Sequence, residues 1–110
     1  ARILAMKRAP KIPRATQLIS PDWIAGMFML MPRKVFEDLC GFDEGYYLYF
    51  EDVDFCTRAK LAGLKLAVDV QKRIQHDGKR ASHRKLLYLI NHLRSALRFF
   101  ASNVYKQARN

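Results

Sequence analysis

The most regular pattern in the chain lies near its end. Leu86, Ile90, Leu93, Leu97, Phe100 and Val104 recur at intervals of three and four, the period of one face of an α-helix. The pattern predicts a long amphipathic helix over 84–106, about 30 Å from end to end, whose apolar stripe packs on the chain's own core. Tyr88, His92 and Phe99 fall on the opposite side, with Leu87, Arg94 and Arg98 on a flank. A second helical pattern follows Asp52, where Val53, Cys56, Ala59 and Ala62 stand three apart and Gly63 is placed to end the helix.

The remaining elements are shorter. Trp23 to Met31 is an apolar run broken only by Gly26, which fits a strand buried on both faces. A glycine inside such a strand marks close approach by another backbone or a ligand. Pro32 is suited to opening a short helix, with Val35, Phe36 and Leu39 as its buried side and Cys40-Gly41 as its end. Leu64 to Val68 reads as a strand and Arg73 to His76 as an extended segment, followed by a turn at Asp77-Gly78 and a polar loop to His83. Pro10, Pro13 and Pro21 among basic residues make 1–22 an extended arm without a core of its own. The fold class is therefore α/β, with few strands and a long C-terminal helix. It divides into the arm at 1–22, a central segment at 23–82 and the helix region at 83–110.

At 110 residues the chain supports one compact core. The net charge of +10 is unevenly spread. Residues 1–20 hold five basic groups and no acid, 21–70 five basic and nine acidic, and 71–110 ten basic and one acidic. An acidic centre between basic ends argues against a continuous nucleic-acid-binding face. Cys40 and Cys56 match no metal or redox spacing and read as two buried thiols of a reducing compartment. With no signal peptide and no apolar run near the roughly 18 residues of a membrane span, a cytoplasmic position is expected.

The chemistry concentrates between Gly41 and Gly63. Asp43, Glu44, Glu51, Asp52 and Asp54 lie there, with Asp38 just upstream, around the aromatic run from Tyr46 to Phe50. Acidic residues at a helix start satisfy its unpaired N–H groups and its dipole. A carboxylate held between aromatic walls at a pocket mouth is also how a general base is built. Both readings fit Glu51 and Asp52. Asp54 and Arg58, four apart, read as a structural ion pair.

Taken in order, the chain shows W-x-x-G, an apolar run, R-K-x-F, G-F-D-E, an aromatic run, E-D-x-D, an arginine, a helix-ending glycine and a late H-x-G. This combination, from Trp23 to Ser82, resembles the C-terminal half of family 2 glycosyltransferases with the GT-A fold, especially the rhamnosyltransferase-like group. The resemblance implies that Asp52, with Glu51 beside it, is the catalytic base of an inverting transfer. It implies that Trp23, Gly26 and the turn carrying Asp43 and Glu44 line the acceptor side, although a Trp at a strand start equally suits a core. It implies that His76 helps bind a divalent metal, Mg2+ or Mn2+, on the donor diphosphate, although a lone histidine equally suits a surface. The partners implied are a nucleotide-sugar donor and a glycan or lipid-linked acceptor, at the inner face of the cell membrane.

The family's donor-binding half, with its metal-holding D-x-D, has no counterpart before Trp23, so the chain reads as a fragment that is inactive alone. Asp52-Val53-Asp54 has the D-x-D form but belongs to the acceptor-side motif. The alternative is a small basic module that binds a membrane or, less fittingly, nucleic acid. The basic, aromatic side of the last helix suits an anionic membrane surface or a further domain, and self-pairing of its stripe would make an oligomer.

Overall fold

The computed structural model describes residues 2–5, 18–76 and 85–110. Strand β3 (Lys65–Asp69) runs between two antiparallel neighbours, β1 (Arg2–Ala5) and β2 (Leu18–Ile19), with Ile3 opposite Ala67 and Leu18 opposite Asp69. Both described segments of the N-terminal arm complete the sheet. Extended pairing gives their backbone groups the partners that a coil would lack. The Asp77-Gly78 turn and the loop to His83 lie outside the described residues.

Helix α1 (Arg33–Asp38) starts directly after Pro32, and Cys40 and Gly41 end it with positive φ. Gly41 is required twice over: its φ is +67°, and a Cβ there would stand 3.0 Å from the Phe36 ring. Helix α2 (Glu51–Leu61) ends as its sequence dictates. Gly63 takes φ +81°, its N–H donates to Lys60 O and the Leu64 N–H to Ala59 O, a Schellman closure that satisfies the last carbonyls. Ile24, Val35, Phe55, Cys56, Ala59 and Leu66 form the core, with Met29, Met31, Leu39, Leu64 and Val68 packed against it. The small mixed α/β unit is thus built where α2 meets α1, β3 and the Ile24 loop.

Two expectations are corrected. The run from Trp23 to Met31 is not a strand; it bends and turns through Gly26 to Phe28, with one bridge residue at Leu30. Only Ile24 of this run is fully buried, while Trp23 is 47% exposed and Met27 61%. Cys40 is exposed, and Cys56 alone is a buried thiol.

The C-terminal helix differs most. It is two helices, α3 (Lys85–Ala101) and α4 (Asn103–Arg109), broken at Ser102. Ser102 is extended, and its hydroxyl accepts from the Tyr105 N–H while donating to Phe99 O. A serine competing for backbone groups in this way is a strong helix start and a weak helix interior. The face that packs is also reversed. Ser95 and Phe99 are buried, whereas Leu86, Ile90, Leu93, Leu97 and Phe100 are exposed. Aromatic stacking decides this: Phe99 and His92 meet the ring of Phe50, and Phe99 meets Tyr105. The Ser95 hydroxyl donates to Leu48 O at 2.6 Å. No described helix is long and apolar enough to cross a membrane.

Candidate functional site

Two consecutive non-glycine residues with left-handed backbone, Tyr49 (φ 66°) and Phe50 (φ 64°), lead directly into Glu51 and Asp52. Such conformations cost on the order of 1–3 kcal/mol each and persist where surrounding packing enforces them. Here that packing is visible: the Tyr49 ring lies 5.2 Å from His92, and Phe50 lies 5.4 Å from His92 and 5.7 Å from Phe99, centre to centre. The aromatic run is the buttress that aims the first turn of α2.

Within that turn the Asp52 carboxylate is held at both oxygens. Oδ2 accepts the Gly26 N–H at 2.8 Å and Oδ1 accepts its neighbour's, Val53 N–H, at 2.8 Å. Each oxygen keeps a second lone pair, so an oriented carboxylate can still accept a hydroxyl. Asp52 forms no ion pair among the described residues. Glu51 stands beside it with Oε2 buried and no hydrogen-bond partner among the described residues. A Cβ at Gly26 would lie 3.5 Å from Asp52 Cβ and 3.7 Å from Glu51 Oε1, in ordinary contact. Gly26 thus roofs both carboxylates.

The loop above is fastened to α2 by Cys56, which the sequence marks as a buried thiol in the helix without showing what it binds. The Ile24 N–H lies 3.4 Å from Cys56 Sγ, and the thiol points back at Ile24 O. A second fastening is Arg58. It pairs with the buried Asp54 at 2.8 Å, as the four-residue spacing led one to expect, and also donates to Leu39 O and Gly41 O. One guanidinium therefore ties the end of α1 and the start of the Gly-Phe-Asp-Glu turn to α2. The spacing exposes the ion pair but gives no hint of the two carbonyls.

The other predicted residues are scattered around this centre. Asp43 Oδ1 accepts the Gly45 N–H at 2.8 Å, and Arg98 approaches it at 3.5 Å, so Asp43 shapes the turn and links it to α3. Glu44 is exposed. Trp23, half-exposed, is not a core residue. His76 is exposed and lines a recess of about 400 Å³ with Met27, Phe28, Val70, Lys72 and Ile74. Ala25 and Met27 in that wall flank Gly26, so the recess and Asp52 share one loop, but Asp52 is not among its lining residues.

Around His76 the described residues alone do not complete a metal site. No group of three or more His, Cys, Asp or Glu suited to holding a metal occurs among the described residues. Asp69 lines the same recess, but its Oδ1 accepts the Gln71 N–H and Lys72 stands alongside. The chemistry that these residues support is proton acceptance at Asp52.

Two curated proteins resemble the chain closely enough to be informative. It is 36% identical over 93 residues to the rhamnosyltransferase WbbL of Escherichia coli, covering 81% of this chain and 34% of that protein. It is 32% identical over 80 residues to an N-acetylglucosaminyl-diphospho-decaprenol L-rhamnosyltransferase of Mycobacterium tuberculosis, covering 72% of this chain and 26% of that protein. The chain thus spans about a third or less of the length of the relatives it matches. No protein-family model matches the chain, and neither does any solved structure. Over most of its own length, the chain is similar in sequence to part of two rhamnosyltransferases.

Proposed function

We propose that this chain is the acceptor-side, catalytic-base portion of an inverting glycosyltransferase of family 2 with the GT-A fold. The observation that carries the reading is the Asp52 carboxylate, oriented by the Gly26 N–H at the tip of a helix whose entry is strained. The donor-binding half lies in the remainder of a longer protein, and the chain alone does not transfer sugar. The donor is a nucleotide-sugar and the acceptor a glycan or lipid-linked intermediate; the relatives' names support a rhamnosyl donor, and one of them supports an N-acetylglucosaminyl-diphospho-decaprenol acceptor. An enzyme with such an acceptor works at the inner face of the cell membrane.

In the reaction, Asp52 takes the proton of an acceptor hydroxyl as that oxygen bonds to the anomeric carbon. The bond from that carbon to the diphosphate breaks on the opposite face, the nucleoside diphosphate leaves with the electron pair, and the configuration inverts. Glu51 adds negative charge beside the base. Trp23, half-exposed at the head of the same loop, offers its indole face to a sugar ring. The divalent metal of such enzymes would neutralise the departing diphosphate. His76 alone does not build its site, and no step here passes through it.

Asp52→Asn in the full-length enzyme keeps the shape and removes the base. Transfer is expected to fall about 10²–10⁴-fold, with donor affinity, read by calorimetry, unchanged. Near-normal turnover refutes the assignment.

A further inference from the structure

The stripe that the sequence assigns to the core instead forms an uncovered apolar face. Leu86, Leu89, Ile90, Leu93, Leu97 and Phe100 are each more than half exposed along α3. So large an apolar face on one helix requires an occupant, and the surrounding charge specifies its chemistry. Helices α3 and α4 carry five Lys or Arg (Lys85, Arg94, Arg98, Lys106 and Arg109) and no Asp or Glu. Arg94 lies on the border of the stripe, one turn from Ile90 and Leu97 on one side and from Asn91 and Arg98 on the other. On that second side a recess of about 400 Å³ is lined by Tyr47, Asn91, Arg94, Ser95 and Arg98. Arg98 is engaged there by Asp43 and the Tyr46 ring. Arg94 has no partner among the described residues and is exposed.

We propose that α3 docks in the surface of an anionic phospholipid bilayer, its apolar stripe at the acyl boundary and Arg94 with its recess taking a headgroup phosphate. An apolar face rimmed by cations, on a helix unable to span, matches how interfacial helices bind. A second copy fits less well, because two α3 helices with three cations (Lys85, Arg94 and Arg98) and no anion each repel when paired. This inference stands apart from sugar transfer and is read without catalysis.

The full-length protein is floated with vesicles of phosphatidylcholine alone or containing phosphatidylglycerol. Binding is expected to the anionic vesicles and to weaken with added salt. Leu93→Ser with Leu97→Ser should reduce it about tenfold or more, and because both side chains are exposed the circular dichroism should be unchanged. Arg94→Glu should reduce the preference for anionic over neutral vesicles. Absence of vesicle binding, or binding equal in all variants, overturns the proposal. So does a dimer, seen by sedimentation equilibrium, that the two serines disperse, because it gives the face to a second copy.

Discussion

At the scale of single residues, the site is held by groups whose partners are backbone rather than side chain. Asp52 accepts two N–H groups, Arg58 donates to two carbonyls, and Ser95 donates to a third. Backbone partners leave no trace in residue types, so these contacts could not be read from sequence, whereas the Asp54–Arg58 pair could. Tyr46 shows what such packing does to a titratable group. It is buried beneath the Arg98 guanidinium. Burial pushes its hydroxyl above the usual value, and the Asp54 and Asp43 carboxylates push the same way. Arg98 and the Ser102 hydroxyl oppose them. A group whose folded pKa is raised holds its proton more tightly in the native state. Its stabilisation is complete below about pH 10 and is lost as pH rises through the folded value. Denaturant titrations of the 110-residue chain at increasing alkaline pH should show stability falling more steeply for the wild type than for Tyr46→Phe. Parallel pH profiles would mean that Tyr46 ionises as freely folded as unfolded.

At the scale of elements, local signals were legible and facing was not. The ends of α1 and α2 follow from Pro32, Gly41 and Gly63, and β3 falls within one residue of its predicted place. These depend on backbone conformation, which proline and glycine constrain directly. Periodicity, by contrast, identifies a stripe without saying what covers it, and on α3 the chain covers the other side. Phe99, His92 and Ser95 win because they both fill space and satisfy Leu48 O beneath the aromatic loop. The two faces can be told apart by truncation. Phe99→Ala should cost about 3–5 kcal/mol by leaving a cavity, whereas Leu97→Ala, at a position 72% exposed, should lie within about 0.5 kcal/mol of wild type. Equal costs in chemical denaturation of the chain would mean that the stripe packs after all.

At the scale of the whole molecule, the described residues leave apolar surfaces open, and two of them differ in what surrounds them. The α3 face is bordered by Arg94 of a helix that carries three cations and no acid. The other surface gathers Trp23, Met27, Phe28 and Ile74, with His76 and Lys72, next to the loop that orients Asp52. The sequence marks this loop as apolar and therefore buried, which fails here because nothing within the described residues covers it. In the proposed enzyme the donor-binding half supplies the cover, so that a nucleotide-sugar is enclosed between that half and the Gly26 loop. Methionine oxidation follows exposure of the thioether, and Met27 is 61% exposed while Met29 and Met31 of the same run are partly buried. Peroxide footprinting of the 110-residue chain should therefore oxidise Met27 faster than Met29 or Met31. In the full-length protein the Met27 rate should drop several-fold, towards those of its two neighbours. An unchanged Met27 rate in the full-length protein would place the donor half elsewhere, and the carboxylate at Asp52 would then face open solvent rather than a closed cleft.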